Sequence, residues 1–407
     1  MRANPGRVEL LDLLHHWRNE RYVHRVATNV DRHLFSSCFT QVEIEGLEDA
    51  KRRAHSGERL VFVANHQSEY DWMMVQAYLT LHGIRAAVQA GDNLFIGPLD
   101  TFLRKCGGFM AVRDQHAFYA RRWFRNWMLK TLGARPVVVT REQYNGLYLD
   151  QLKRIFDSDG LHLLVFPGYE TDEFSGEVKY GRSYSGHLNP LSPLVFLAVR
   201  NALRDLRVED ASYIPINISY ERVPEDMVFR AYRSGSRKGK FAKYVYDNYY
   251  AFISVPLKRR VRNQRSRVLI KFGDAMAADL RARAKEAARS VYDQLARLIR
   301  VYESTAVFAS LDNRFRISRA ELEERVDRTV TAADEAGLDT TPLYRDGRRK
   351  SLDELLERTA ELFNYPHIPI IATRSYQTLE YDEREIFIHH PHLASYYGNK
   401  LSHLNAA

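Results

Sequence analysis

His66 and Asp71 stand five positions apart in the stretch N-H-Q-S-E-Y-D at residues 65–71. An imidazole whose Nδ1 is bonded to a carboxylate has its tautomer fixed, and its Nε2 is free to take a proton from a hydroxyl. Base catalysis of this kind contributes about 10² to 10⁴ in rate. Five positions along one helix would point the two side chains apart, so the pair needs a corner, with the histidine at a strand end and the aspartate in the first turn of a helix. Residues 60–64, rich in β-branched and aromatic side chains, predict that strand. From Tyr70 the apolar residues recur at helical spacing until Gly83, which can close the last turn. The same residues have a second use, because Ser68 and Asp71 fit a Ser-x-x-Asp capping box in which both side chains satisfy the helix N-terminus. A cap leaves Asn65 and His66 unexplained.

The elements around this corner alternate. A strand at 85–89, a helix at 115–131, a strand at 135–140, a helix ending near Asp157 and a strand at 161–166 predict an α/β fold. Its mainly parallel sheet is flanked by helices, and its site lies at the carboxyl ends of the strands. Residues 167–190 are polar and glycine-rich, a loop at that edge. Residues 212–220 read as a buried strand that Pro215 restricts to a bulge or a sheet edge, and 267–273 as the strand that closes the domain. The first forty residues have helical spacing, with Asn4 and Pro5 as N-cap and N1. Beyond the sheet, residues 275–310, 318–336 and 351–363 read as helices, with short strands at 367–372 and 385–388. The expected organisation is an N-terminal helical segment (1–40), an α/β domain (41–275) and a mostly helical C-terminal region (276–407).

Composition bounds the function. A chain of 407 residues is long enough for two or three domains and a substantial core. Its two cysteines, Cys38 and Cys106, argue against a disulfide scaffold and fit a reducing compartment. No run of eighteen apolar residues and no signal-peptide core is present, so the expected location is cytoplasmic. The formal net charge of +9 points to an anionic partner. Basic residues from Arg237 to Lys271 interleave with Tyr244, Tyr246, Tyr249, Tyr250 and Phe252, a pattern that suits an anionic membrane surface, nucleic acid or a solvated face. His389, His390 and His392 are unevenly spaced around Pro391 and do not call for a metal. Gly181-Arg182-Ser183-Tyr184-Ser185 approaches a nucleophile elbow but lacks its last glycine.

The stretch V-E-I-E-G (42–46), the apolar strand and N-H-Q-S-E-Y-D resemble the first block of the glycerolipid acyltransferases, with its His-x4-Asp signature. G-D-N-L, G-P-L and L-R-K-C-G-G-F-M-A-V-R resemble the second block of the glycerol-3-phosphate acyltransferase family, except that Val112 replaces an arginine. F-P (166–167) and G-R-S-Y-S-G-H-L (181–188) resemble the third. Its glutamate is displaced, with Lys179 in the nearest slot, Glu170, Glu173 and Glu177 as candidates, and Leu191 replacing a nearby lysine. Y-I-P-I-N-I-S-Y-E-R-V resembles the fourth, and H-H-P-H-L-A-S-Y-Y-G-N-K-L-S-H-L a C-terminal segment of the same enzymes.

The resemblance implies O-acyl transfer from acyl-CoA or acyl-carrier protein to glycerol 3-phosphate in phospholipid synthesis, with no bound cofactor or metal. His66 would be the general base and Asp71 its orienting acid. Arg113, Gly181, Arg182 and Ser183 would bind the acceptor, and Pro215 would border the thioester pocket. Independently of the resemblance, helix N-termini favour anions, so backbone donors at the start of the Ser68 helix are expected to face the developing oxyanion. Partners would be the acyl thioester, the acceptor and an anionic membrane at the inner face of the cell membrane, with nucleic acid not favoured. A lysophospholipid or other alcohol acceptor, and an inactive lipid- or nucleic-acid-binding protein, are the alternatives.

Overall fold

The computed structural model describes residues 18–91, 98–111, 141–171, 176, 178–224, 265–312, 314–364 and 378–406. Arg113, the predicted elements at 115–131, 135–140 and 367–372, residues 1–17 and most of the basic, tyrosine-rich stretch lie outside them.

The main sheet contains β1 (Phe39–Glu45), β2 (Arg59–Ala64), β3 (Arg85–Gly91), β4 (Gly108–Ala111), β5 (Leu161–Val165), β8 (Ala211–Tyr220) and β9 (Ser266–Phe272). They run in the order β1-β9-β8-β2-β5-β3-β4. A further pair, β6 (Tyr169–Thr171) and β7 (Val178–Tyr180), forms a separate hairpin, and β10 (Met276–Ala277) extends the main sheet beside β8. The β8-β2-β5-β3-β4 ladders are parallel, whereas β8 and β9 are antiparallel. The predicted mainly parallel α/β sheet is therefore the observed one. Both faces of the sheet are covered, so β5 and β8 are buried along their whole length and β2 from Leu60 onward, Asn217 and Ser219 of β8 included.

Pro215 departs from expectation. It sits neither at an edge nor at a bulge but opposite Val63, in the interior of the sheet. The carbonyl and the amide position of one strand residue face the same neighbour, and the Pro215 carbonyl accepts from Gly273 N at 2.8 Å. On that side β8 passes from β9, which pairs from Ile216 onward, to β10, which pairs at Tyr213 and Ser212. The missing proline donor thus falls at the gap between two partner strands, where no ladder bond is lost.

Helices α1 (Glu20–Asn29), α2 (Leu47–His55), α3 (Asp71–Leu81), α4 (Pro98–Lys105), α5 (Arg141–Asp157) and α6 (Pro193–Leu206) accompany the sheet. The side chain of Asn19 caps α1, accepting from Tyr22 N. The C-terminal region contains α7 (Ala284–Arg297), α8 (Glu303–Leu311), α9 (Arg319–Glu335), α10 (Leu352–Phe363) and α11 (Pro391–Gly398), the last continuing as a 3₁₀ segment, Asn399–Ala406. Ser318 and Ser351 cap α9 and α10, as a serine before an apolar-periodic run predicts. The single helix expected over 275–310 starts only at Ala284, after the short strand β10, and is broken at Ile299–Tyr302. There Arg300 turns inward to Glu43, Glu45 and Asp339, and Val301 N donates to the Asp339 carbonyl.

The C-terminal region is joined to the sheet by a buried ion cluster. The Glu221 carboxylate, just past β8, accepts from Arg267 and Arg358, and Arg267 and Lys350 share Glu303. Burial alone would raise the Glu221 pKa, but the two guanidinium groups hold it below the usual carboxylate range. Close approach adds to this joint. Gly186 has φ +87°, and a Cβ there would meet the Tyr396 carbonyl oxygen at 1.8 Å. Gly186→Ala is expected to cost about 2 kcal/mol or more, read as a lower denaturation midpoint at unchanged m-value.

Candidate active site

Strand β2 ends at Ala64, and α3 begins at Asp71, so the corner predicted between them is present. Its geometry is set by one carboxylate. Asp71 is fully buried, and its Oδ2 lies 2.9 Å from His66 Nδ1 while accepting from Gln67 N at 2.6 Å and Ser68 N at 2.8 Å. Its Oδ1 accepts from the Tyr220 hydroxyl at 2.5 Å. An oxygen surrounded by donors leaves Nδ1 to carry the imidazole proton, and Nε2 is then the lone-pair nitrogen. The His66 side chain keeps 14 % exposure and packs against Phe166 with ring centroids 5.0 Å apart. The imidazole is thus oriented by the carboxylate and partly exposed.

The capping reading and the acid–base reading turn out to share atoms. Asp71 does accept from Ser68 N, and Tyr70 N donates to Ser68 Oγ, so the helix start is satisfied by the same side chains that hold His66. One expectation changes in consequence. The amides of Gln67, Ser68, Tyr70 and Asp71 are already engaged within the corner, so they are not standing donors for an oxyanion.

The third block reaches the corner from the loop after β5. Ser183 N donates to the His66 carbonyl at 2.8 Å, and Gly181, in the left-handed region at φ +94°, donates from its amide to the Gly168 carbonyl. Arg182 is buried, stacks over the Tyr184 ring at 5.2 Å and gives Nη1 to Glu69 Oε1 at 2.5 Å. Gly181, Arg182 and Ser183 are therefore brought beside His66 and Asp71. Pro215 lies in the strand below the corner, opposite Val63, and β8 contributes Tyr220 instead.

Of the three candidate glutamates, Glu170 is the one within the described residues. Glu170, on the hairpin opposite Lys179, accepts from Tyr184 N, Ser185 N and Ser185 Oγ. It shapes the 181–186 loop from one side, while Ser183 Oγ accepts from Gly186 N within it. Glu173 and Glu177 lie outside the described residues. The back wall comes from the far end of the chain. Tyr396 OH donates to the Gln67 carbonyl, Asn399 Nδ2 to the Ser185 carbonyl, and His187 Nδ1 lies 2.6 Å from Ser402 Oγ.

Comparison with known proteins bears on this geometry. Residues 41–219, from β1 to the end of β8, match the family described as Acyltransferase. The matched stretch is under half of the chain and resembles that family. The chain is similar to the glycerol-3-phosphate acyltransferase of Shewanella sp. (strain ANA-3), with 26% identity over 218 residues, 53% of this chain and 23% of that protein. The Shewanella oneidensis protein of the same name shows 26% identity over 53% of this chain and 22% of its own length, and that of Shewanella baltica (strain OS155) 26% over 53% and 23%. The matched stretch thus spans under a quarter of the length of these curated relatives. The matched stretch contains His66, Asp71, Arg182, Ser183 and Glu170 together, while the buttress at Tyr396 to Ser402 lies beyond it.

Sequence reasoning missed Tyr220, Glu69 and the C-terminal buttress as members of the site. Tyr220 stands in the resembling fourth block, and Glu69 is an acidic residue inside the His-x4-Asp corner. Neither spacing alone shows which partner each would meet.

Proposed function

We propose that the chain is an O-acyltransferase that moves a fatty acyl group from acyl-CoA or acyl-carrier protein to glycerol 3-phosphate. The observation that supports it is the His66–Asp71 pair, oriented and partly exposed, inside a stretch that matches the acyltransferase family. In this reading His66 Nε2 takes the proton of the acceptor hydroxyl as its oxygen attacks the thioester carbonyl. The C–S bond then breaks, and the proton returns to the leaving thiolate. Asp71 holds the imidazole in the tautomer the step needs. Arg182, with Arg113 from outside the described residues, binds the acceptor phosphate, and Ser183 fixes the His66 end of the loop.

Thiol release from an acyl thioester, measured with and without glycerol 3-phosphate, tests the assignment. Release that depends on glycerol 3-phosphate is the expected result. Release only with another alcohol would replace the acceptor, and no release with any acceptor would leave a binding protein.

An acceptor other than glycerol 3-phosphate is the second reading, favoured by the Arg182–Glu69 pair, because a phosphate must compete with a carboxylate already in place. Glu69→Gln removes that competitor. Under the first reading it lowers KM for glycerol 3-phosphate by roughly tenfold with little change in kcat, while Arg182→Ala raises it by a similar factor, as expected for one charge-assisted hydrogen bond. Unchanged KM in both variants would support a neutral acceptor.

Attachment to the inner face of the cell membrane is part of the same proposal. Among the described residues no helix is long and apolar enough to cross a membrane, and the basic, tyrosine-rich stretch supplies the means of surface attachment. Sedimentation with anionic vesicles, weakened by salt, is the expected behaviour.

A further inference from the structure

Lys400 lies in the 3₁₀ segment after α11, and its ammonium is sealed behind the His66–Asp71 corner. The residue is 5 % exposed, and its Nζ donates to the Tyr220 carbonyl at 2.8 Å and lies 4.9 Å from the centre of the Tyr397 ring. Tyr220 in turn gives its hydroxyl to Asp71 Oδ1. Lys400 also lines a small cavity with Asn65, Gln67, Asn217 and Ser219, and the buried Gln67 Oε1 has no hydrogen-bond partner among the described residues. Asn65 and Gln67 flank His66 in the chain, so the cation stands at the rear of the corner.

We propose that Lys400 is a positioning residue for the His66–Asp71 pair. By holding the Tyr220 carbonyl, it fixes the end of the strand whose phenol fastens Asp71, and it places a positive charge behind that carboxylate. The inference rests on the reading of His66 as the base, but its physical content is the hold on Asp71, which can be measured without turnover.

A lysine in this position is expensive. Desolvation pushes the ammonium down to about 7, opposed by the charge of Asp71, and the other titratable groups beside it among the described residues are Tyr220 on β8, Tyr397 on α11 and His403 on its own segment. Its folded value lies below the ordinary 10.5, so the unfolded chain binds more protons between those two values. The penalty is therefore full below about 7 and fades as pH rises toward 10.5. A methionine of similar length would fill the space without that penalty, since replacing a buried charge by a packed apolar side chain is often neutral or stabilising. A group retained for packing alone would not carry this cost.

Lys400→Met separates the two roles. The expected protein melts at or above the wild-type temperature near pH 7, with the difference shrinking at higher pH, yet kcat falls at least about tenfold while KM for the acceptor stays within about twofold. The second readout is the ¹⁵N signature of the His66 ring, assigned by its loss in His66→Gln. Wild type shows the Nδ1-protonated tautomer, and Lys400→Met shows a mixture of tautomers. Tyr220→Phe, which cuts the link with Lys400 intact, should give the same mixture, and the double variant should be no worse than Tyr220→Phe alone. A pure Nδ1-protonated signal in Lys400→Met overturns the proposal, as does an unaltered kcat. Should Lys400→Met not fold, a pure signal in Tyr220→Phe overturns it. Absence of turnover in wild type would sink the proposed reaction, whereas the tautomer signal would still decide the role of Lys400.

Discussion

His66→Ala is expected to lower acyl transfer by about 10² to 10⁴-fold, with the fold and the thioester affinity preserved. The size follows from what is removed. In the proposed mechanism the imidazole presents the lone pair of the nitrogen not bonded to its carboxylate partner, and its side chain is partly exposed. Its loss leaves the acceptor hydroxyl to deprotonate without a positioned base. The structural cost is small, because the hold of the loop on position 66 runs through the backbone, Ser183 N to the His66 carbonyl, which alanine retains. Initial rates of thiol release together with an unchanged circular dichroism spectrum check both parts. A variant that retains wild-type turnover would remove His66 from the mechanism.

Asp71→Ala should damage both activity and stability. The buried carboxylate accepts from His66 Nδ1, two backbone amides and the Tyr220 hydroxyl. Alanine leaves those donors buried and unpaired, each at about 1–3 kcal/mol, so a loss of at least about 3 kcal/mol is expected in chemical denaturation. Asp71→Asn distinguishes the two roles. Its amide oxygen can still accept from the amides of Gln67 and Ser68, so most of the stability should return. Turnover should remain depressed about 10²-fold or more, because the charge that stabilises the imidazolium during proton transfer is gone. Equal recovery of both properties in Asp71→Asn would reduce Asp71 to a helix cap.

Comparison of Lys400→Met with Asp71→Ala carries a further consequence. Both are buried ionisable groups within one chain of contacts, Lys400 to Tyr220 to Asp71 to His66. Asp71 is fully satisfied by donors, whereas the ammonium of Lys400 meets a single carbonyl and an aromatic face among the described residues. The first should therefore stabilise the fold and the second burden it, although both serve the same imidazole.

Local patterns determined much of this protein. The strand–corner–helix at 59–81, the parallel alternation and the serine caps of α9 and α10 follow from hydrophobic period and capping chemistry, which act over a few residues and are written in the order of the chain. The His66–Asp71 pair was legible for the same reason, since strand end and first helical turn are neighbours in sequence. The tertiary structure alone decided the rest. It allows Pro215 inside the sheet, because the proline faces the gap between β9 and β10. It selects Glu170 as the carboxylate that shapes the 181–186 loop, sets Glu69 on Arg182, and brings Tyr220 and Lys400 behind Asp71. Each of these contacts joins residues more than ten positions apart, and Lys400 and Tyr220 are separated by 180. No periodicity reports a partner at that distance, because such pairs are chosen by how the sheet and the C-terminal helices pack.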